Sequence, residues 1–251
     1  MTPIKTPHSS APPFFRARST LLRFSIFSSH ILCISKFVQK SVPKLYQKKT
    51  HVIFNPINIK KIRKKNTFKF NCKKNIFVIG FIANLWKRKQ PFKFLELAEK
   101  ILKKRKNIFF VIAGADREIT KAILKKKIKK KKLKSKIQLF DFLDPIEPLL
   151  KSIDLIFIPA VKEPFGRTLI ESMSVKTPVI ANKSGGHIEI IKDNFNGWLC
   201  DINNMKDTTN LVLKIINNKK YLVNIKRNAF SFVKKKFNSK NHVKNISYFY
   251  N

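Results

Sequence analysis

The middle of the 251-residue chain contains a short run whose residue types could hold an anionic, hydroxyl-bearing ligand. Gly166 stands where a helical pattern begins, and a glycine there lets a ligand approach the free backbone N–H groups of the helix end. Arg167 follows in the first turn, where a cation opposes the helix dipole, so an anionic partner such as a diphosphate would account for it. Glu163 and Glu171 flank this pair, and carboxylates at such positions accept hydrogen bonds from sugar hydroxyls. Together these residues favour a nucleotide-like or phosphorylated-sugar ligand.

Ordinary structural roles compete with this interpretation for each charged residue. Glu171 could be an exposed helix charge, Glu163 part of a solvated loop, and Arg167 a side chain in solvent. Neither the G-x-G-x-x-G pattern nor the G-x-x-x-x-G-K-[ST] pattern occurs in the chain. A standard dinucleotide fingerprint and a P-loop are therefore excluded.

Acidic residues and glycines are both concentrated in the central part of the chain. All 14 Asp and Glu residues lie between Glu96 and Asp207, and all 6 glycines lie between Gly80 and Gly197. Because Lys and Arg number 54, a sequence that uses acids so sparingly is expected to keep them where structure or chemistry needs them. Function is therefore sought in this central region.

The net charge of +40 has two interpretations. It is typical of proteins that bind nucleic acid or an anionic membrane surface. It also fits codon bias in an AT-rich genome, since Lys dominates over Arg and Lys, Asn, Ile and Phe fill the chain. Lys is spread along the whole sequence, and its densest run, 121–136, fits the solvated face of a helix. Codon bias is thus the favoured cause; no specific nucleic-acid partner is expected, and peripheral contact with an anionic membrane stays open.

Cysteine usage and hydropathy point to a cytoplasmic protein. Cys33, Cys72 and Cys200 are far apart and form no CxxC or Cys/His cluster, which argues against a disulfide scaffold or a structural zinc site. No stretch of the sequence reaches the roughly 18 uninterrupted apolar residues of a membrane span. We expect a cytoplasmic location, with the inner face of the membrane as the variant.

Alternating strand-like and helical patterns predict an α/β fold from residue 76 onward. The strand-like runs are Ile76–Ile82, Ile108–Ala113, Ile137–Phe140, Leu155–Ile158 and Pro178–Ala181, and the helical patterns between them are Pro91–Lys104, Arg117–Leu133, Pro145–Ser152 and Gly166–Ser174. Two further helices are predicted over Met205–Asn217 and Tyr221–Phe237. Strands that alternate with helices favour a doubly wound parallel sheet, and nearly continuous apolar runs fit strands buried on both faces. Ligands of such sheets bind outside the carboxyl ends of the strands.

The central motifs resemble those of retaining glycosyltransferases of family 4, in the carboxy-terminal domain of their GT-B fold. The run Glu163-Pro-Phe-Gly-Arg-Thr-Leu-Ile-Glu171 matches the family's E-x7-E signature. The segment Ser152–Pro159 resembles the strand before that signature, Thr177–Ala181 the strand after it, and Ser184–Glu189 the family's G-G-x-x-E loop. The resemblance extends from about residue 76 to residue 199 and implies a Rossmann-like domain that binds a nucleotide sugar.

The resemblance also implies roles for individual residues. Glu163 would contact hydroxyls of the donor sugar, Glu171 would bind the ribose, and Lys89 would neutralise the diphosphate. Asn84 stands where the family usually has Arg, which leaves Lys87 or Arg88 as substitutes. The catalytic residues are thus predicted to be Glu163 and Lys89, and the donor-binding residues Asn84, Arg88, Phe165, Gly166, Arg167, Thr168, Glu171, Gly185 and Gly186. Residues 140–143 would edge the base, whereas His187 is expected to be structural. No cofactor or metal is expected, because cationic side chains and a helix dipole can stabilise the leaving diphosphate.

The first 75 residues are too few for the acceptor-holding amino-terminal domain that a GT-B enzyme has. Residues 1–29 are expected to be disordered or misassigned, and residues 30–75 to be a remnant of that domain followed by a basic linker. Residues 76–235 would form the nucleotide-sugar domain and 236–251 a carboxy-terminal helix or tail. The expected activity is transfer of a hexose from a UDP- or GDP-sugar to a glycan or lipid-linked acceptor with retention. An inactive donor-binding remnant, or a basic nucleic-acid or membrane binder, is the alternative.

Overall fold

The computed structural model describes residues 29–58 and 68–249, and within them a six-stranded parallel sheet forms the centre of the molecule. Two short strands precede it, β1 (Ile31–Cys33) and β2 (Thr50–Val52), and pair in parallel with each other. The central strands are β3 (Phe77–Ile82), β4 (Ile108–Ala113), β5 (Ile137–Phe140), β6 (Leu155–Ile158), β7 (Val179–Asn182) and β8 (Trp198–Cys200). Their order in the sheet is β5-β4-β3-β6-β7-β8. The predicted doubly wound fold is confirmed, and the strand order reverses between β3 and β6.

Helices connect the strands and cover both faces of this sheet. They are α1 (Lys36–Gln39), α2 (Pro91–Lys104), α3 (Lys121–Lys130), α4 (Glu147–Lys151), α5 (Arg167–Ser174), α6 (His187–Ile190), α7 (Met205–Asn217), α8 (Lys219–Lys236) and α9 (Ser239–Ser247). None of the described helices is both long and apolar enough to cross a membrane.

Two hydrophobic clusters, one on each face, hold the helices to the sheet. Every residue of β4 is buried, as expected for an apolar run covered on both sides. Phe94 on α2 packs in the first cluster, with Phe110 of β4 and Val212 of α7. Leu169 on α5 and Val233 on α8 pack in the second cluster. The alternation of side chains along each strand thus divides the core into two layers.

Most predicted bounds hold or shift by one or two residues, and the largest shift is at the start of α3. Strands β4, β5 and β6 and helix α2 have the predicted limits. Helix α3 begins at Lys121 rather than at Arg117, because the Thr120 hydroxyl caps it and the Ile119 N–H donates to the Leu85 carbonyl 2.9 Å away. Helix α4 begins at Glu147 rather than at Pro145, and its cap residue Ile146 makes no side-chain capping hydrogen bond.

The β1–β2 pair packs directly on the loop that follows β6. The Ser35 hydroxyl donates to the Pro164 carbonyl. The Glu189 carboxylate accepts the backbone N–H groups of Lys36 and Phe37 at 2.8 and 2.7 Å, which anchors the start of α1. Residues 1–28 and 59–67, and thus most of the predicted disordered segment and part of the predicted linker, lie outside the described residues, and the division of the chain into domains stays a prediction.

Candidate donor site at the switch point of the sheet

The candidate site lies at the carboxyl edge of β3 and β6, where the strand order reverses. Lys89 lies in the segment that follows β3, and Glu163 lies in the loop that follows β6. These strands are neighbours in the sheet, with Ile79 of β3 opposite Leu155 of β6. The crevice outside such a switch point is the usual ligand site of open α/β sheets.

Two cations share one carboxylate oxygen at the bottom of this crevice. The Nζ atom of Lys89 and the Nη1 atom of Arg88 each lie 2.7 Å from Oε2 of Glu163. The side chains of Glu163 and Lys89 are only 10% and 17% exposed, so the interaction is shielded from water, while Arg88 is 38% exposed. Because one carboxylate faces two cations, the cluster keeps an excess positive charge that an anionic ligand can neutralise.

Burial and charge act on both partners of the buried pair. Burial opposes ionisation of Glu163, but Lys89 and Arg88 outweigh it and hold the pKa of this carboxyl below its usual value. Burial lowers the pKa of Lys89, and the attraction of Glu163 opposes that change. The depressed pKa of Glu163 means that it is ionised at neutral pH, when it can accept hydrogen bonds but not donate them.

The glycine pair after β7 fixes the backbone of the Glu163 loop. The Gly186 N–H donates to the Glu163 carbonyl oxygen, and the nitrogen and the oxygen are 2.7 Å apart. Gly185 has φ of 61°, and a Cβ atom there would lie 2.4 Å from the Glu163 carbonyl oxygen. Only glycine permits this approach. Gly185 and Gly186, which were predicted to contact the donor, therefore pack against the backbone of the Glu163 loop. Neither glycine lines the two cavities next to the Glu163 carboxylate.

Helix α5 starts beside the charge cluster with its N-terminus uncapped by any described side chain. Its cap residue is Gly166, with φ of 103°, and no side-chain oxygen accepts its first N–H groups. Those N–H groups and the helix dipole favour an anion at this end. The Arg167 Nε–H donates to Glu171 Oε1 at 2.7 Å, one helical turn on. The two carboxylates of the E-x7-E motif thus stand on different walls of one crevice.

The crevice comprises an outer and an inner cavity that share Lys89 and Thr168. The outer cavity has a volume of about 520 Å³, and the polar and aromatic residues on its walls include Asn84, Trp86, Arg88, Lys89, Phe142, Arg167, Thr168 and Glu171. The inner chamber has a volume of about 60 Å³ and is lined by residues that include Lys89, Glu163, Gly166, Thr168 and His187. The predicted catalytic residues and most of the predicted donor-binding residues therefore meet in one place.

Asn84, where an Arg was the family expectation, is used structurally. Its Oδ1 accepts the backbone N–H of Ala115 at 3.2 Å and so ties together the segments that follow β3 and β4. Arg88 supplies the second cation of the cluster instead. Of the two substitutes that the sequence left open for the missing arginine, Lys87 and Arg88, the structure brings Arg88 to Glu163.

Two phenylalanines of the predicted site have their rings packed against other aromatic side chains. Phe165 is 4% exposed, and its ring packs against Phe54 and Phe237. Phe140 likewise packs against Phe68, whereas Phe142, 63% exposed, lies at the cavity wall with Leu143. Only the second half of the predicted base-edging segment 140–143 therefore lines the cavity.

Sequence reasoning missed His187 and Trp86 as residues of the crevice. His187 is fully buried in the inner chamber, and Trp86 lies on the outer wall with the Arg117 guanidinium 5.9 Å from the centre of its ring. The signal for His187 was its place directly after Gly185-Gly186, at the carboxyl end of a buried strand. Trp86 lies just before Lys89, within the segment that follows β3.

A match with a known protein family covers the part of the chain that contains this crevice. The sequence profile described as "Glycosyl transferases group 1" matches residues 62–232. That range is more than half of the chain and includes the E-x7-E motif, the charge cluster and the glycine pair. The chain therefore belongs to the group 1 glycosyltransferase family.

Relatives and solved structures place it among GT-B proteins. The O-antigen biosynthesis glycosyltransferase WclY of Escherichia coli is 27% identical over 218 residues, 85% of this chain and 59% of the relative. An Escherichia coli galactosyltransferase named for UDP-Gal and α-D-GlcNAc-diphosphoundecaprenol is 26% identical over 149 residues, 59% of this chain and 38% of the relative. The Anabaena protein HepE, crystallised with UDP-glucose, superposes with a TM-score of 0.82 at 19% identity, over 94% of this chain and 67% of that one. The chain thus spans between a third and two thirds of the length of these two curated relatives.

Proposed function

We propose that the crevice binds the diphosphate of a nucleotide sugar and that the chain serves the transfer of its hexose to a glycan or lipid-linked acceptor. One observation carries the proposal: two cations share a single buried carboxylate opposite an uncapped helix N-terminus. The one excess positive charge of this cluster and the helix end together attract an anionic group such as a diphosphate. Family membership supports a sugar as the attached group. The galactosyltransferase relative named for UDP-Gal and the UDP-glucose bound to HepE favour a UDP-sugar over a GDP-sugar.

The chemistry needs stabilisation of a leaving group, which these residues can supply. The bond between the anomeric carbon and the diphosphate oxygen breaks, and the diphosphate departs with the electron pair. The acceptor hydroxyl forms the new bond to that carbon and loses its proton. Lys89, Arg88 and the N–H groups at the start of α5 face the position where the diphosphate charge grows. Groups aimed at developing charge in a site shielded from water lower the barrier without reorganising.

The two carboxylates would bind different parts of the donor. Glu163 lies in the inner part of the crevice, so it is assigned to the sugar hydroxyls, and Glu171 lies in the outer cavity, so it is assigned to the ribose. Phe142 and Leu143 would edge the base. Retention of configuration follows from the resemblance to family 4 enzymes. This arrangement needs no metal or cofactor, since side-chain cations and the helix end supply the positive charge.

The acceptor and the location are part of the same proposal. The galactosyltransferase relative is named for a diphosphoundecaprenol-linked acceptor, and WclY for O-antigen biosynthesis. We therefore place the acceptor among cell-envelope glycans or their lipid-linked precursors, on the cytoplasmic side. An acceptor held by a membrane would bring this basic chain to an anionic surface.

Donor binding is tested by titration calorimetry of the full chain with UDP-glucose and GDP-mannose. Binding of the UDP-sugar is expected, and Glu171→Ala should weaken it by about 1–3 kcal/mol, the usual loss for a hydrogen bond to a charged partner. The control is Glu147→Ala, which removes an acid on α4 that does not line the crevice. Unchanged affinity in Glu171→Ala would make this residue an exposed helix charge.

Transfer is tested separately by donor consumption with a panel of glycan and undecaprenyl-linked acceptors. A complete family member serves as the positive control for the acceptors. Release of UDP that depends on the acceptor would support the enzyme. If the chain binds donor but gives neither transfer nor hydrolysis across the panel, it is a donor-binding remnant.

A further inference from the structure

His187 is a buried histidine whose hydrogen-bonding state the structure defines. Its side chain has no exposed surface, and Nδ1 lies 2.9 Å from the carbonyl oxygen of Asn182. A carbonyl oxygen only accepts hydrogen bonds, so Nδ1 must carry the proton and donate. Burial lowers the pKa of His187, which keeps the ring neutral at pH 7. In this neutral tautomer Nε2 carries a lone pair and is an acceptor.

The Nε2 atom is buried without a hydrogen-bond partner among the described residues. A buried polar atom left in this state costs about 1–3 kcal/mol, and such atoms are uncommon in folded proteins. The neighbouring Lys89 ammonium does not serve it in this structure, since that group is bonded to Glu163. The acceptor therefore needs a hydrogen-bond donor that arrives from elsewhere.

A small chamber in front of His187 provides room for that donor. The inner cavity of about 60 Å³ is bounded by His187, Glu163, Lys89 and Thr168, and by apolar walls that include Phe81 and Phe157. Both cations of the cluster bind Oε2 of Glu163, and Oε1 takes part in neither contact. The chamber thus presents a lone pair of His187 beside a carboxylate and adjoins the outer cavity through shared residues.

We propose that Nε2 of His187 accepts a hydrogen bond from one hydroxyl group of the donor sugar and thereby helps to select that sugar. This inference rests on the proposed function and deepens it. A phosphate oxygen cannot satisfy Nε2, because both atoms are acceptors. A hydroxyl donates one bond, fits the volume, and is what a hexose carries next to its diphosphate. His187 would then be a specificity residue, paired with Glu163 as the second acceptor.

The test compares UDP-glucose with its 2-, 3-, 4- and 6-deoxy analogues by titration calorimetry, in the wild-type chain and in His187→Asn. The asparagine amide keeps a donor near the Nδ1 position for the Asn182 carbonyl and removes the acceptor at Nε2. In the wild-type chain, each deoxy analogue that lacks a hydroxyl bound by His187 or Glu163 should bind about 3–10-fold more weakly than UDP-glucose, as expected for one hydrogen bond. In His187→Asn one of these losses should disappear, so that this analogue and UDP-glucose bind equally well, while the losses at hydroxyls bound by Glu163 stay.

UDP without a sugar is the control in each protein, and its affinity should be the same in both. If His187→Asn distinguishes the four analogues as the wild type does, the proposal is overturned and the lone pair is served by water or by nothing. If the wild-type chain binds neither UDP nor UDP-glucose, the proposed function itself has failed, which is a different result.

A second measurement does not need the variant to fold. In the wild-type chain labelled with ¹⁵N at histidine, the Nε2 resonance of His187 should move when UDP-glucose is added and stay in place when UDP is added. An equal response to both ligands, or no response to either at concentrations where both bind, would overturn the proposal.

Discussion

The two glutamates of the E-x7-E motif form ion pairs of the same length in very different surroundings. Glu163 pairs with Lys89 and Arg88, and Glu171 pairs with Arg167. In each pair the side-chain nitrogen lies 2.7 Å from the carboxylate oxygen. The Glu163 side chain is 10% exposed and its partners lie 74 and 75 residues away in sequence. Arg167 is 84% exposed and lies four residues from Glu171 on the same helix.

This difference makes the wall of the crevice at Glu163 rigid and the wall at Glu171 adjustable. Exposed pairs are worth about 0–1 kcal/mol, so a ligand can replace Arg167 as the partner of Glu171 at little cost. Breaking a buried pair by removing one partner costs about 3–5 kcal/mol, because a charge is left in a site shielded from water. Glu163 and Lys89 are therefore held in position before any ligand arrives, which is the arrangement that electrostatic catalysis requires.

The largest expected effect comes from neutralising the buried glutamate. Glu163→Gln keeps the shape but leaves Lys89 and Arg88 to repel each other, so the free energy of unfolding should fall by about 3 kcal/mol. Glu171→Gln is the matched variant and should change it by less than about 1 kcal/mol. Urea unfolding followed by circular dichroism measures both. Equal losses in the two variants would mean that burial does not distinguish the pairs.

A smaller loss in the free energy of unfolding is expected from a substitution that crowds the loop containing Glu163. Gly185→Ala places a methyl group 2.4 Å from the Glu163 carbonyl oxygen at a φ of 61°. Strain of this kind should lower the free energy of unfolding by about 2 kcal/mol. UDP-glucose affinity should fall with it, since the carboxylate moves. The control Lys183→Arg enlarges an exposed side chain two positions earlier, keeps its charge, and should be close to wild type in both assays. Equal losses in Gly185→Ala and Lys183→Arg would contradict the assigned role of the glycine.

The smallest expected effect is the pH dependence of the buried pair. The pKa of Glu163 is lower in the folded chain than its ordinary value of 4.5, since Lys89 and Arg88 outweigh the effect of burial. Its stabilising contribution is therefore complete above that ordinary value and is lost as the pH falls through the folded pKa. The difference in unfolding free energy between wild type and Glu163→Gln should stay level from pH 7 to pH 5.5 and shrink below pH 4.5. A difference that grows on acidification would reverse the assigned sign.

Much of the fold could be predicted from pattern, since a strand buried on both faces reads as a continuous apolar run. Strands β4 and β6, in which every residue is buried, were predicted with their observed limits for this reason. Strand β8 was not predicted, because three residues following a turn carry too little pattern. The start of α3 was placed four residues early because the loop before it is set by a hydrogen bond to Leu85, which the local sequence does not reveal.

The site was predicted in part. The part that was missed depends, like the start of α3, on contacts between residues that are distant in sequence. The residues of the E-x7-E motif and of the Lys89 segment were predicted as one site, and they do line one crevice. Phe165 was assigned to the ligand because it lies in the run that resembles the family's E-x7-E signature. In the structure its ring contacts Phe54, which is more than 100 positions away and which no local pattern connects with it.

The amino-acid order alone is sufficient for the features that depend on neighbours in sequence. These are the alternation of strands and helices, the uncapped glycine start of α5 and the four-residue spacing that pairs Arg167 with Glu171. The remaining features of the site depend on the pairing of β3 with β6 in the sheet. This pairing brings Lys89 to Glu163 and leaves Nε2 of His187 facing a chamber. Those contacts join segments far apart in the chain, so they exist only when the packed core holds the strands in register.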